Sequence, residues 1–291
     1  MTTVVARNRV RSEDAEAFRR DGAVMLEGML DESWLQVLGQ GIALNLARPS
    51  PRRLDWVRDE ASGEHLLFDA VTVRHNPFYE RYMLESPIGP IAAALMDSPT
   101  ALAFYVSVFI RAKGTQAPTP WHQDQTYWCV EGRQALSIWT SLDAVPRGTE
   151  LRFVRGSHRW KRPLAKPYFE QQRLGGTQPA QPDDAMRVPD FDGADRDRFE
   201  LIGWATKPGD IVVFHGMTVH GGSGRLPATM RRRAISTQWL GEDARLVDRP
   251  GGHDPHWLPE LAKFGLGPGD YPGCAMCPVV NAEPTPGEPW T

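Results

Sequence analysis

The stretch WHQDQTYW, Trp121 to Trp128, sets an imidazole and a carboxylate at alternate positions among aromatic residues. In an extended chain alternate side chains leave the same face, so His122 and Asp124 can aim a ring nitrogen and a carboxylate oxygen at one point. Such a pair holds a metal ion or is simply the polar face of a surface strand, and the pair alone does not decide. A second histidine, His220, lies in PGDIVVFHGMTVHGG, where an apolar strand gives way to small residues that permit close approach. Two imidazoles and one carboxylate make the facial set that binds non-haem Fe(II) and leaves three positions open. After His220 the chain reads GGSGRLPATMRRRAIS, returning into a strand that opens with arginines. A guanidinium beside the second histidine is what a dicarboxylate co-substrate needs, because its planar fork matches a carboxylate.

These residues need a scaffold, and the hydrophobic period supplies one. Ser12 to Arg20 reads as a helix broken at Gly22, and Asp31 caps a second helix whose Trp34, Leu38, Ile42 and Leu46 recur as a core stripe. From Pro49 to Pro99, Pro, Gly and Asp punctuate short apolar pieces, which predicts helices and connections. From Leu102 the period becomes two. LAFYVSVFIRA is apolar on both faces, as in a strand covered on both sides, and WHQDQTYW, ALSIWTSL, LRFV, DIVVFHG and AISTQWL follow, separated by turn residues. The expected fold is mainly β with flanking helices, an antiparallel barrel or sandwich buttressed by the N-terminal helices, in a single domain over residues 1–291. Residues 161–198, rich in Pro, Gly, Gln and Asp, interrupt it and predict a lid or substrate loop.

The net charge of −3 offers no basic field for nucleic acid or an anionic membrane, so a small-molecule substrate is expected. The N-terminus lacks the apolar core of a signal peptide and no long apolar run follows, which predicts a cytoplasmic protein. No feature sets an oligomeric state. Cys274-Ala-Met-Cys277 is a CxxC without a second pair or a redox-domain setting, so it supports neither a zinc site nor thiol exchange. DFDGADRD lacks the glycine position and closing glutamate of a calcium loop and reads as a solvated loop.

WHQD, the PGD-to-HG segment and RRAIS, together with FRRDGAVMLEGML, LSIWTSLDAV and LRFVRGSHRW, resemble the phytanoyl-CoA dioxygenase family of Fe(II)- and 2-oxoglutarate-dependent oxygenases over most of the chain. The resemblance implies a double-stranded β-helix core of jelly-roll or cupin-like type. It implies His122, Asp124 and His220 as iron ligands and Fe(II), 2-oxoglutarate and O2 as cofactors. It further implies hydroxylation of a small or medium organic metabolite with release of succinate and CO2. Matching the RRAIS text selects Arg232 for the distal carboxylate of 2-oxoglutarate, whereas counting from His220 selects Arg231. Alternation puts Arg232, Ala234 and Ser236 on one face, which favours Arg232 and lets Ser236 assist. The chain departs from the family at Arg147, where asparagine is frequent, and at Arg155, where proline is frequent; both changes fall on turns. A carboxylate at Asp124 argues against a halogenase, which carries a small residue there so that chloride can bind.

Trp121, Tyr127, Trp128 and Trp139 are candidates for the pocket wall, and Lys113 and Gln125 for contacts with ligand oxygens. His215 alternates to the other face from the ligands, and His158 reads as a turn residue. Because no basic cluster for CoA phosphates stands out, a substrate other than an acyl-CoA, as in secondary metabolism, is expected. Two rivals remain: the same cofactors driving desaturation, cyclisation or epimerisation, and a non-catalytic cupin-like barrel that holds a metal or small ligand.

Overall fold

The structure, a computed structural model, describes residues 10–59, 64–167, 185–249 and 253–281. In chain order the helices are α1 (Ser12–Asp21), α2 (Glu32–Ala47), α3 (Pro77–Glu85), α4 (Ile88–Met96) and α5 (Leu258–Ala262). The strands are β1 (Ala23–Leu26), β2 (Leu54–Asp59), β3 (Glu64–Val71), β4 (Thr100–Arg111), β5 (Thr119–His122), β6 (Val130–Glu131) and β7 (Ala135–Ser141). They continue as β8 (Arg152–Val154), β9 (Leu201–Gly203), β10 (Ile211–His215), β11 (His220–Gly222), β12 (Arg232–Leu240), β13 (Arg245–Leu246) and β14 (Val279–Asn281). An eight-stranded sheet runs β1-β10-β7-β12-β4-β3-β2, with β14 also pairing β4. A smaller sheet, β5-β11-β8-β9, accompanies it, and the strand pairings are antiparallel.

Each large-sheet strand serves two layers. On β4 and β12, Val106, Val108, Ile235 and Trp239 bury one face against the helices, with Leu38, Ile42, Tyr82 and Ile91 in the same core cluster. The opposite face presents Tyr105, Ser107, Phe109 and Arg111 from β4, and Arg232, Ala234, Ser236 and Gln238 from β12, to a cavity. Register fixes this pairing: Arg232 lies opposite Arg111, and Ser236 opposite both Ser107 and Trp139. The helical layer is thus the back wall that holds the cavity strands flat. Each fully buried Leu or Ile in it stabilises the fold by roughly 1.5–3 kcal/mol.

Helix α2 begins as its sequence predicts, with the Asp31 carboxylate accepting from the Trp34 N–H at 3.2 Å. Its expected core stripe holds for Leu38 and Ile42 but not for Leu46, which is 41% exposed. A spacing of four drifts about 40° per step around a helix of 3.6 residues per turn, so the stripe rotates out of the core by its fourth member. Val37 and Asn45 are buried instead. Residues 49–99 contain α3 and α4, but also the strands β2 and β3, which the expectation of helices and connections did not include. Asp69 on β3 is fully buried and accepts from Asn45 Nδ2 at 2.8 Å, the Ser50 N–H at 2.9 Å and the Ser50 hydroxyl. That satisfied carboxylate ties α2 to the sheet edge while breaking the apolar pattern by which a buried strand is recognised.

The WHQDQTYW segment is only partly extended, since β5 ends at His122 and residues 124–126 form a 3-10 turn. Within the 161–198 insertion, residues 168–184 lie outside the described residues, so the lid expectation falls partly there. At its far end Phe191 is fully buried beside Trp121, Val154 and Val219. At its near end Pro167 accepts from the Tyr127 hydroxyl at 3.2 Å. Among the described residues, no helix is long and apolar enough to cross a membrane.

Candidate active site

Strands β5 and β11 pair so that His122 lies directly opposite His220, bringing their ring centroids to 4.2 Å. The tight pairing requires a glycine at 221, where a Cβ would stand 2.9 Å from the Trp121 ring. Gln123 is still extended, at φ −121° and ψ 123°, so alternation carries Asp124 to the face of His122 before the chain turns. The Asp124 Oδ1 sits 3.2 Å from His122 Nε2 and 3.5 Å from His220 Nε2. One candidate ligand atom from each of the three lies within 4.8 Å of the others.

The remaining atoms of the triad are occupied in the way a metal site requires. His122 Nδ1 meets the Pro120 carbonyl at 2.7 Å and His220 Nδ1 meets the Thr218 carbonyl at 3.0 Å. A carbonyl only accepts, so each Nδ1 carries the proton and each Nε2 keeps its lone pair toward Asp124. The Ser137 hydroxyl on β7 donates to Asp124 Oδ2 at 2.7 Å, fixing the carboxylate. Gln123 points the opposite way, donating to the Met217 carbonyl at 2.8 Å and accepting from the Leu164 N–H at 2.8 Å. It thereby locks the β10–β11 turn behind the triad. Burial, aided by the neighbouring His122 and opposed by Asp124, pushes His220 down to about 4, so its imidazole is neutral at pH 7. Burial works to raise Asp124, but the two imidazoles and Ser137 outweigh it and hold the carboxyl below its usual range.

The triad opens into a cavity of about 120 Å³. Arg232 lines it and is 6% exposed, whereas Arg231 is exposed outside it. Two guanidinium nitrogens of Arg232 donate to Thr149, to its carbonyl at 2.7 Å and its hydroxyl at 2.6 Å, while its buried Nε–H has no partner. Burial lowers its pKa to about 10 against the pull of Asp143 and Glu150, which still leaves it charged at neutral pH. A buried cation with an unspent N–H, four residues along the same strand face from a cavity hydroxyl at Ser236, is a cradle for a small carboxylate. The donor set therefore fits both Fe(II) and 2-oxoglutarate.

The phytanoyl-CoA dioxygenase (PhyH) family pattern matches residues 18–233, which is most of the chain and includes the triad and Arg232. The chain belongs to the phytanoyl-CoA dioxygenase family. As a member it is a non-haem iron- and 2-oxoglutarate-dependent oxygenase. Its fold is shared with solved structures of such enzymes. The non-heme alpha ketoglutarate dependent carbocyclase SnoK from nogalamycin biosynthesis superposes with a TM-score of 0.71 at 20% identity, over 94% of this chain and 98% of that one. The epimerase SnoN, in complex with Fe3+, alpha ketoglutarate and nogalamycin RO, gives 0.65 at 20% identity over 95% and 99%. EctD from S. alaskensis, with 2-oxoglutarate and 5-hydroxyectoine, gives 0.62 at 20% identity over 84% and 81%. No curated protein sequence matches the chain.

The phytanoyl-CoA dioxygenase-family cavity gathers Tyr127, Trp128 and Trp139 from the expected pocket residues. It leaves out Trp121, Gln125 and Lys113. Alternation with His122 turns Trp121 away from the cavity into the cluster around Phe191, where its Nε1–H donates to Asp192 at 2.7 Å. Gln125, inside the 3-10 turn, donates to the Gly132 carbonyl at 2.7 Å, and Lys113 is exposed on a turn. The sequence reading passed over Tyr105, Phe109 and Arg111, which line the cavity from β4. Their shared parity with Ser107 was a usable signal. It also passed over Phe68, Thr149, Asp254 and Pro255, for which no local pattern existed.

Proposed function

We propose that this oxygenase binds Fe(II) through His122 Nε2, Asp124 and His220 Nε2, takes the distal carboxylate of 2-oxoglutarate on Arg232 with help from Ser236, and hydroxylates a small or medium organic molecule. The observation that carries the proposal is the His122–His220 register, with both Nδ1 atoms spent on carbonyls and both Nε2 atoms facing Asp124 in the cavity that Arg232 lines. Bound iron with its co-substrate supplies O2 activation coupled to conversion of 2-oxoglutarate to succinate and CO2. The chain's own residues do the positioning. Ser137 orients the Asp124 carboxylate, Pro120 and Thr218 set the imidazole tautomers, and Thr149 holds the Arg232 guanidinium in the cavity wall. Phe109, Tyr127 and Trp128 keep the surroundings apolar, which strengthens the charge pairing inside.

The 161–198 segment is proposed to select the substrate, since its Pro167 holds the Tyr127 hydroxyl and Lys166 sits 5.6 Å from that ring. Exchanging it for the equivalent segment of a relative should change the preferred substrate. Product mass tests the reaction: hydroxylation adds one oxygen atom drawn from 18O-labelled O2, with one succinate formed per product. A product two hydrogens lighter, or one of unchanged mass, would move the assignment to desaturation or cyclisation, or to epimerisation.

A further inference from the structure

The cavity has two electrically different ends. Arg111 and Arg232 face each other across β4 and β12 at one end, and both guanidinium groups are held by protein oxygens, Arg111 by the Ala117 carbonyl at 2.5 Å and the Thr119 hydroxyl at 2.8 Å. Residue 105 stands at the other end of the β4 cavity face, and at about 3.3 Å per residue the two ends lie roughly 20 Å apart. There the lining carries Asp124 and Asp254, and the charges of both are felt by the hydroxyls of Tyr105 and Tyr127. The triad stands at this second end, since Ser137, which holds Asp124, pairs with Gln238, and Gln238 pairs with Tyr105.

Asp254 is held firmly. Its N–H donates to the Tyr127 carbonyl at 3.0 Å, while His253 before it and Pro255 after it are buried. Trp257 just beyond is 1% exposed and packs on Tyr105 with ring centroids 5.8 Å apart. The carboxylate itself meets no hydrogen-bond donor or ion-pair partner among the described residues. The residue is exposed where it lines the cavity, and partial desolvation raises its pKa while the buried Lys166 nearby opposes that shift. Arg249 is spent on the Trp128 and Val130 carbonyls. The result is a carboxylate fixed by its backbone on the cavity lining, at the same end as the triad.

We propose that Asp254 is the substrate-anchoring carboxylate of this enzyme and that the substrate bears a protonated amine on an apolar body. The proposal rests on the oxygenase reading above. An ammonium supplies a counter-charge and several N–H donors to this carboxylate, whereas a neutral hydroxyl supplies a single donor and no charge. Phe68, Phe109 and Tyr127 provide apolar walls for the body of such a molecule, and the aromatic faces also favour a cation. Anchoring the amine at Asp254 places the carbons between it and the triad within reach of the iron site.

The test uses saturation-transfer NMR on the protein loaded with Zn(II) in place of iron and with 2-oxoglutarate. The probes are 3-phenylpropylamine, 3-phenylpropan-1-ol and 3-phenylpropanoate, each in millimolar excess. The expected result is that the amine binds more tightly than the alcohol and the acid, and that Asp254→Asn weakens the amine by roughly tenfold or more while leaving the alcohol unchanged. Asp254→Glu should recover part of the amine affinity, which a merely misfolded loop would not allow. Equal binding of amine and alcohol, no amine signal, or an amine affinity indifferent to Asp254→Asn would overturn the inference. The 2-oxoglutarate resonances in the same sample report the oxygenase reading separately. If they persist while the amine fails, only the amine anchor falls; if they are absent from the unsubstituted protein, the oxygenase reading falls first.

Discussion

Replacing Arg232 by methionine isolates the co-substrate half of the site. The guanidinium is 6% exposed, so a carboxylate that meets it does so with little competing water. Removing one partner of a buried charge pair costs about 2–5 kcal/mol. Arg232 has already committed two nitrogens to Thr149, so it offers a ligand the unspent Nε–H and its remaining hydrogens rather than a full fork. The lower part of the range therefore applies, about 2–3 kcal/mol, or roughly 30- to 150-fold in the dissociation constant of 2-oxoglutarate. Folding should change little. Methionine fills the space and removes the orphaned Nε–H, while the Thr149 oxygens it abandons border the cavity and can take water, for a net effect within about 1 kcal/mol. Calorimetric titration of 2-oxoglutarate into anaerobic Fe(II)-loaded protein reads the affinity, and metal analysis checks that iron is retained. Arg231→Met is the control, since that side chain lies exposed outside the cavity and should leave the affinity within about twofold. A threefold or smaller loss in Arg232→Met, or a larger loss in Arg231→Met, would refute the reasoning.

Three further outcomes follow from the same geometry. Ser137→Ala frees the Asp124 carboxylate from its orienting hydrogen bond and should weaken iron about 10- to 100-fold in a chelator competition, with unchanged affinity excluding that role. Burial lowers His215 from its ordinary 6.5 to about 4, with Nδ1 accepting from the Met217 N–H. Between those values the unfolded chain binds the extra proton, so stability falls as pH drops from 6.5 toward 4, by up to about 3 kcal/mol from this residue, and is flat above. His215→Gln should flatten that acid limb in denaturant melts across the window, and an unaltered slope would show that the group does not titrate there. The Cys277 thiol hydrogen-bonds Cys274 and lowers it to about 6, whereas burial raises Cys129 to about 12 and the Cys274 partner raises Cys277. Iodoacetamide at pH 7 should therefore label Cys274 first, read by peptide mass spectrometry, and labelling led by Cys129 would contradict the geometry.

The ligand set was legible because two of its members are neighbours in the chain and share a parity. What the sequence could not display is the β5–β11 register that puts His220 opposite His122, since those strands are far apart in the chain. The same parity rule that places His122 in the cavity removes Trp121 from it, so treating the aromatics of WHQDQTYW as one group mixed cavity residues with one that packs in a separate cluster. Beyond Asp124 the 3-10 turn ends the alternation, which is why Gln125 faces the Gly132 carbonyl rather than a ligand. Strand β3 was hidden by a buried Asp69 whose donors come from α2 and the loop after it. Asp254 left no trace in local pattern because its placement comes from a backbone bond to Tyr127 across the fold. Local chemistry and period were readable; partners set by tertiary contact were not.

The central claim is that His122, Asp124 and His220 hold iron in the cavity where Arg232 receives 2-oxoglutarate. Its most direct test is anaerobic: Fe(II) and then 2-oxoglutarate are added to metal-free protein while the visible spectrum is recorded, with His122→Ala and Arg232→Met in parallel. The account predicts a weak metal-to-ligand charge-transfer band in the unsubstituted protein, abolished by His122→Ala and, at limiting 2-oxoglutarate, diminished by Arg232→Met. Iron binding with no such band, or a band indifferent to His122→Ala, would contradict it.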